Sequence, residues 1–171
     1  MFKSPIEFSD IEPDILKELY IYWDRIRGTK SMPSRKDFRP EDVPHLLPHL
    51  AMVDVEHDTG RYHTRLVGTE TVKAMGVDLT GKYVNDIPAM SILMERYSWI
   101  VEHKTPYIYA NHLAWSEKSY LDYFSLALPF SEKGDKVDII MWGMIYFYPS
   151  SERTRFPIKR QNPPASSERF S

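Results

Sequence analysis

Three groups of residues in this 171-residue chain could do chemistry. The first is the histidines: His45, His49, His57, His63, His103 and His112. None stands in the H-E-x-x-H spacing that would turn two imidazoles to one side of a helix toward a metal. His45 and His49 are four apart, but Pro48 between them interrupts a helix. The second is Arg65, in a predicted strand. A guanidinium there either pairs with a neighbouring carboxylate or serves as a fork for an anionic group, because its planar donors match a carboxylate two to two. The third is a run of aromatic residues and methionines: Met90, Met94, Tyr97, Trp99, Tyr109, Trp115, Tyr123, Phe124, Met141 and Trp142. They are either ordinary core or the wall of a partly apolar cavity, in which methionine adapts its shape and tyrosine or tryptophan offers a hydrogen bond. The candidate wall is Met94, Tyr97, Tyr109 and Met141, with Arg65 as a polar member.

Other chemistries have no residues to carry them. The chain has no cysteine, which excludes disulfides, thiolate metal sites and cysteine nucleophiles. There is no nucleophile-elbow sequence, no phosphate-binding glycine loop and no telling pair of carboxylates. Glu117 and Asp122 are the only acids near a candidate pocket strand. The net charge of -2 gives no field for nucleic acid. No stretch is long and apolar enough to span a membrane, and the amino terminus lacks a signal-peptide core, so a cytoplasmic protein is expected.

The elements that must position these residues follow from periodicity. Ile11, Ile15, Leu19, Tyr22, Trp23 and Ile26 repeat at helical spacing, from a start at Asp10 or Pro13-Asp14 to a stop at Gly28. Residues 29–49 carry Pro33, Pro40, Pro44 and Pro48, with Phe38, Val43, Leu46 and Leu47 to bury, and read as an ordered arm. Leu50 to Glu56 and Arg61 to Val67 are strands joined by the turn Asp58-Thr59-Gly60. A short helix capped by Thr69 or Thr71 ends at Gly76. Pro88 to His103 is a longer helix. Tyr107–Trp115, Leu121–Phe130 and Val137–Tyr148 form an antiparallel meander with polar turns at 116–118 and 132–135. The last strand is apolar on both faces and therefore central. One face should meet the helix at 88–103, bringing Met141 to the cavity. The face bearing Trp142, Met144 and Tyr146, or the same face of a second copy, should take the amino-terminal helix. Residues 150–171 lack periodicity, are rich in Ser, Arg and Pro, and read as a disordered, mildly basic tail.

Two segments are similar to a known family. RLVGTETVKAMGVDLTGK, residues 65–82, resembles the strand, helix and "LTG" of PAS domains. ELYIYWDRIRGTKSMPSRKDFRPEDVPHLLPHL, residues 18–50, resembles the lead-in of the single-domain PAS proteins of alphaproteobacteria. The likeness covers about residues 15 to 149. It implies an α+β fold: a five-stranded antiparallel sheet in the order 2-1-5-4-3, helices on one face and the amino-terminal helix on the other. The expected division is a helix and arm over 1–49, a PAS core over 50–149 and a tail over 150–171. The implied function is a stand-alone bacterial sensory or regulatory module without catalysis, which binds a small molecule, a signalling partner protein or both. A homodimer through the amino-terminal helix is expected, because symmetric pairing would cover its apolar face. Some PAS domains hold haem through a histidine on the long helix, which makes His103 a candidate, although helix-end capping suits it better. Cysteinyl–flavin chemistry is excluded with the cysteines. Two other readings stand beside this one. A small cone-shaped enzyme of the ketosteroid-isomerase type needs only one Asp or His in an apolar cavity, but such folds usually lead with several helices. A structural dimerisation module would have a filled core.

Overall fold

The computed structural model describes residues 1–113 and 121–148. The expected turn at 116–118, Trp115, Glu117 and the tail from 150 onward lie outside the described residues. Among the described residues six strands form one antiparallel sheet: β1 (Phe2–Lys3), β2 (Leu50–Glu56), β3 (Arg61–Val67), β4 (Tyr107–His112), β5 (Asp122–Phe130) and β6 (Ile139–Phe147). Their order across the sheet is β1-β4-β5-β6-β2-β3. Three α-helices of the described residues accompany it: α1 (Asp14–Arg27), α2 (Thr69–Met75) and α3 (Met94–His103). The sheet therefore has one strand more than the sequence predicts. β1 is two residues long, too short for periodicity to reveal, and it pairs with β4 through Phe2 opposite Tyr109 and Lys3 opposite Ile108. At the other edge, Lys82 and Gly81 exchange backbone hydrogen bonds with Thr64 of β3. Both sheet edges thus have partners over part of their length, which blunts edge-to-edge pairing with other chains.

β6 is central, between β5 and β2, as its two apolar faces require. Register assigns the faces. Ala51, Trp142 and Ala127 stand opposite one another across three strands, as do Leu50, Gly143 and Leu126. Because side chains alternate along a strand, these two rows point to opposite sides. The first row belongs to an inner cluster with Leu93, Tyr97 and Ile100 of the segment leading into and through α3. The second belongs to an outer cluster with Leu16, Leu19, Tyr22 and Trp23 of α1 and with Phe38, Val43 and Leu46 of the arm.

The placement of α1 corrects an expectation. α1 lies on the Met141–Gly143 face and not on the face of Trp142 and Met144. The cause is Gly143. A β-carbon there would fall 2.4 Å from Leu19 Cδ2 and 2.7 Å from Leu16 Cδ2. Only glycine lets the helix come this close, so α1 seats itself over the one notch in β6. Trp23 fixes the helix further: its indole Nε1 donates to the Pro129 carbonyl at 3.1 Å. A second glycine is set by space in the same way. A β-carbon on Gly68 would fall 2.4 Å from the Pro48 carbonyl oxygen, where the end of β3 crosses the arm.

Local signals mostly end elements where expected. Gly28 terminates α1 at φ 56°, and Gly76 terminates α2 at φ 79°. α2 starts from Gly68 without a side-chain cap, so neither Thr69 nor Thr71 does the capping. The predicted helix at 88–103 divides into a 3₁₀ segment, Pro88–Leu93, and α3 proper.

Candidate ligand cavity

Between α3, α2 and the inner face of the sheet lies a cavity of about 60 Å³. Its walls are largely apolar: Ala51, Val53, Val67, Leu79, Val84 and Leu93, with methionines 75, 90 and 144. Arg96, Tyr97, Tyr123, Ser125, Trp142 and two threonines, Thr64 and Thr71, supply its polar atoms. Arg96 is the one charged residue of this lining among the described residues.

Arg96 is 5 % exposed. Helical spacing puts it there: it stands three residues after Leu93 and four before Ile100, inside the apolar stripe that faces the sheet. Its Nη1 donates to the Tyr123 hydroxyl at 2.9 Å, and its guanidinium lies 3.9 Å from the centroid of the Tyr109 ring. The Tyr107 hydroxyl donates to the Arg96 carbonyl at 3.4 Å. Tyrosines therefore surround the arginine and offer ring faces and hydroxyl oxygens to its positive charge. Burial pushes the Tyr123 phenol well above its ordinary pKa, and nearby Arg96 reduces this only in part. Burial does the same to Tyr97 and Tyr107, so all three stay neutral at any physiological pH. Arg96 stays charged, as guanidinium does in proteins.

Trp142 is the second polar feature. It is 6 % exposed, yet its Nε1 is buried with no acceptor among the described residues. Its ring packs 5.2 Å from Tyr97 and 5.6 Å from Tyr107, centroid to centroid. An unbonded buried indole N–H costs about 1–3 kcal/mol in lost hydration.

The structure brings only part of the predicted wall together. Tyr97 lines the cavity. Tyr109 stands behind it, stacked under Arg96. Met94 packs against the inner cluster from outside the lining. Met141 does not reach it. Met141 belongs to the outer cluster under α1, because it alternates with Trp142 along β6 and the two cannot share a face. Arg65 does not reach it either. It stands exposed on β3, where its Nε donates to Asp54 Oδ1 at 2.9 Å, the plain pairing that sequence reasoning also allowed. His103 is exposed at the end of α3, stacked on Trp99 with its Nδ1 2.9 Å from the Trp99 carbonyl. It caps the helix end and stands outside the lining, and 60 Å³ has no room for haem. Arg96 is the residue that sequence reasoning missed. Its place three and four residues from apolar neighbours was the available signal.

A larger hollow, about 410 Å³, lies between the arm and the β2–β3 hairpin. Prolines and aliphatic side chains dominate its lining, with Arg35 at its rim. The Arg35 Nη1 is already engaged with the Phe38 carbonyl at 3.1 Å. It is a surface groove, whereas the inner cavity is walled mostly by buried residues of helix and sheet. No candidate metal cluster of three or more His, Asp or Glu occurs among the described residues, and no described helix is long and apolar enough to cross a membrane.

No curated protein and no solved structure matches the chain significantly. A family does: the PAS domain matches residues 11–145. That span takes in α1, the arm, the hairpin, α3 and the central strands, and thus every element that walls the cavity. The chain belongs to the PAS domain family.

Proposed function

We propose that this chain is a bacterial sensory module of the cytoplasm, which holds a small molecule between α3 and the inner face of its sheet. One observation carries the reading: a cavity with adaptable methionine walls into which the fold has placed two donor side chains, Arg96 and Trp142. A filled core would have no use for a buried indole N–H without an acceptor among the described residues. The residue set also speaks against the isomerase-like alternative, since no Asp, Glu or His of the described residues lines the cavity to move a proton. Occupancy would be read out by a partner protein. Pairing of two copies through α1 would use the exposed Ile21, the inward side of that helix being engaged with its own sheet.

Native mass spectrometry of freshly purified protein, joined to a thermal-shift screen of metabolites, tests this. The reading expects a retained or added small molecule that raises the melting temperature. It also expects that response to vanish in Met144→Trp, which fills the cavity from β6. If no compound stabilises the wild type and Met144→Trp is clearly destabilised, the inner face is a filled core and the chain is a protein-interaction module.

A further inference from the structure

We infer that the groove between the arm and the β2–β3 hairpin docks an acidic segment of a partner protein. Apolar side chains of that segment enter the groove, and its carboxylates meet Arg35 and the cations around it. The site is separate from the inner cavity.

Charge names the partner. Residues 25–39 carry Arg25, Arg27, Lys30, Arg35, Lys36 and Arg39 against the single acid Asp37, in a chain whose net charge is -2. Arg27 is already paired with Asp24 at 2.6 Å, and Lys30 with Asp37 at 2.8 Å. Arg25, Arg35, Lys36 and Arg39 form no ion pair among the described residues. The fold gathers them around two packed rings, Tyr22 and Phe38, whose centroids are 5.7 Å apart. The Arg25 guanidinium lies 5.0 Å from the Tyr22 centroid, and that of Arg35 lies 5.4 Å from the Phe38 centroid. The Arg39 N–H donates to the Tyr22 hydroxyl at 2.9 Å. Lys36 stands exposed beside Arg35. Charges this close reinforce one another at ordinary ionic strength, where screening acts over roughly 8–10 Å. Glu41 and Asp42, next along the arm, lie outside the groove lining, and Asp42 accepts from the Tyr22 hydroxyl at 3.3 Å.

Arg35 and Phe38 also line the groove, which joins the basic patch to an apolar floor. The Arg35 Nε–H is buried with no acceptor among the described residues, so the half-buried side chain gains a bond by turning to a carboxylate. The hollow of about 410 Å³ takes several apolar side chains, being within the roughly 300–1,000 Å³ of ordinary binding pockets. Its floor is recessed: Leu50 and Met52 are at most 2 % exposed. A membrane surface is gripped by apolar side chains that protrude, whereas a recessed floor suits a chain that brings its own. The protein's residues 149–171 have the wrong charge for the role, with Arg153, Arg155, Lys159, Arg160 and Arg169 against Glu152 and Glu168.

The test is an NMR titration of the full chain, followed through the methyl signals of Leu47, Met52 and Leu66, which line the groove. The probe is a short peptide alternating glutamate with leucine. Its companions alternate glutamine with leucine, lysine with leucine, or glutamate with serine. The inference expects the glutamate–leucine peptide to move the groove signals saturably and the other three to bind at least fivefold more weakly. Raising the salt from about 0.05 M to about 0.5 M should weaken it at least tenfold. Lys36→Glu with Arg39→Glu, both exposed, should weaken it at least tenfold without altering the fold. Thr69→Trp, which fills the groove from the start of α2 and leaves the charges alone, should weaken it at least fivefold. Equal binding of the lysine–leucine peptide, or indifference to Thr69→Trp, overturns the inference. Silence of the groove signals at about 1 mM peptide, the weak end of specific recognition, does so too. Stronger shifts with phosphatidylserine vesicles, with a peptide of residues 149–171, or on raising the protein concentration alone would give the groove to a membrane, to the chain's own tail or to a second copy, and each would overturn it. None of these outcomes bears on the metabolite screen, so this inference and the sensory reading fail separately.

Discussion

The two faces of β6 are built by opposite rules. On the outer face, Gly143 removes a side chain so that Leu16 and Leu19 of α1 can fill the space completely. On the inner face, Trp142 and Met144 project toward α2 and α3 and leave a cavity. Two tryptophans mark the contrast. Trp23, outside, donates its indole N–H to the Pro129 carbonyl. Trp142, inside, has a buried indole N–H and no acceptor among the described residues. The outer face is arranged for stability, and the inner face gives up packing and one hydrogen bond. Natural cores satisfy their buried donors almost everywhere, so an exception beside a void is where function is to be sought.

The largest effect should come from removing the outer layer. Deleting residues 1–28 takes away Ile11, Leu16, Leu19, Tyr22 and Trp23, each 4 % exposed or less. At ~1.5–3 kcal/mol for each large side chain buried, the loss rivals the whole stability of a domain. The truncated protein should aggregate or show no cooperative unfolding by circular dichroism. A soluble truncation with an unchanged melting temperature would mean that α1 adds nothing to the sheet.

A matched pair of added methyl groups sharpens the comparison. Gly143→Ala pushes a methyl into Leu19 and Leu16, which are themselves fully buried and have no room to retreat. Urea denaturation should show a loss of ~1–3 kcal/mol, typical of overpacking. Ala51→Val, on the same sheet but facing the cavity, should be neutral or slightly stabilising. Equal losses for both would show that the inner face is as full as the outer.

A second pair isolates the hydrogen bond. Trp23→Phe leaves the Pro129 carbonyl unpaired and should cost ~1–3 kcal/mol. Trp142→Phe leaves no acceptor stranded among the described residues, and shedding an unmet donor offsets part of the lost ring contact, so its cost should stay below ~1 kcal/mol. The difference between the two unfolding free energies is the quantity to measure. Reversal of their order would break the contrast.

Much of this was legible in the sequence. The hairpin, the meander and the double-sided character of the last strand follow from alternation alone, and Gly28 and Gly76 end their helices through positive φ. The choice of face was not legible in the same way. Alternation sorts β6 into two sets without saying which set meets which helix, and grouping Met141 with the cavity put the wrong set inside. Gly143 held the answer, since a glycine in a buried strand marks a close approach. Arg96 escaped because an arginine in a surface helix is ordinarily solvated. Its burial depends on tyrosines from β4 and β5, which are distant in sequence. β1 is two residues long and has no period to read.

The claim that one face is filled and the other is hollow has a direct test. Xenon enters small, largely apolar cavities and shifts the NMR signals of the methyl groups that line them. Under xenon pressure, the methyl signals of Met75, Met90 and Met144, which line the cavity, should shift and saturate. Those of Met141, Leu16 and Leu19, which pack beneath α1, should stay in place. A set of inner methyl signals that does not respond, or an outer set that responds equally, would contradict the account.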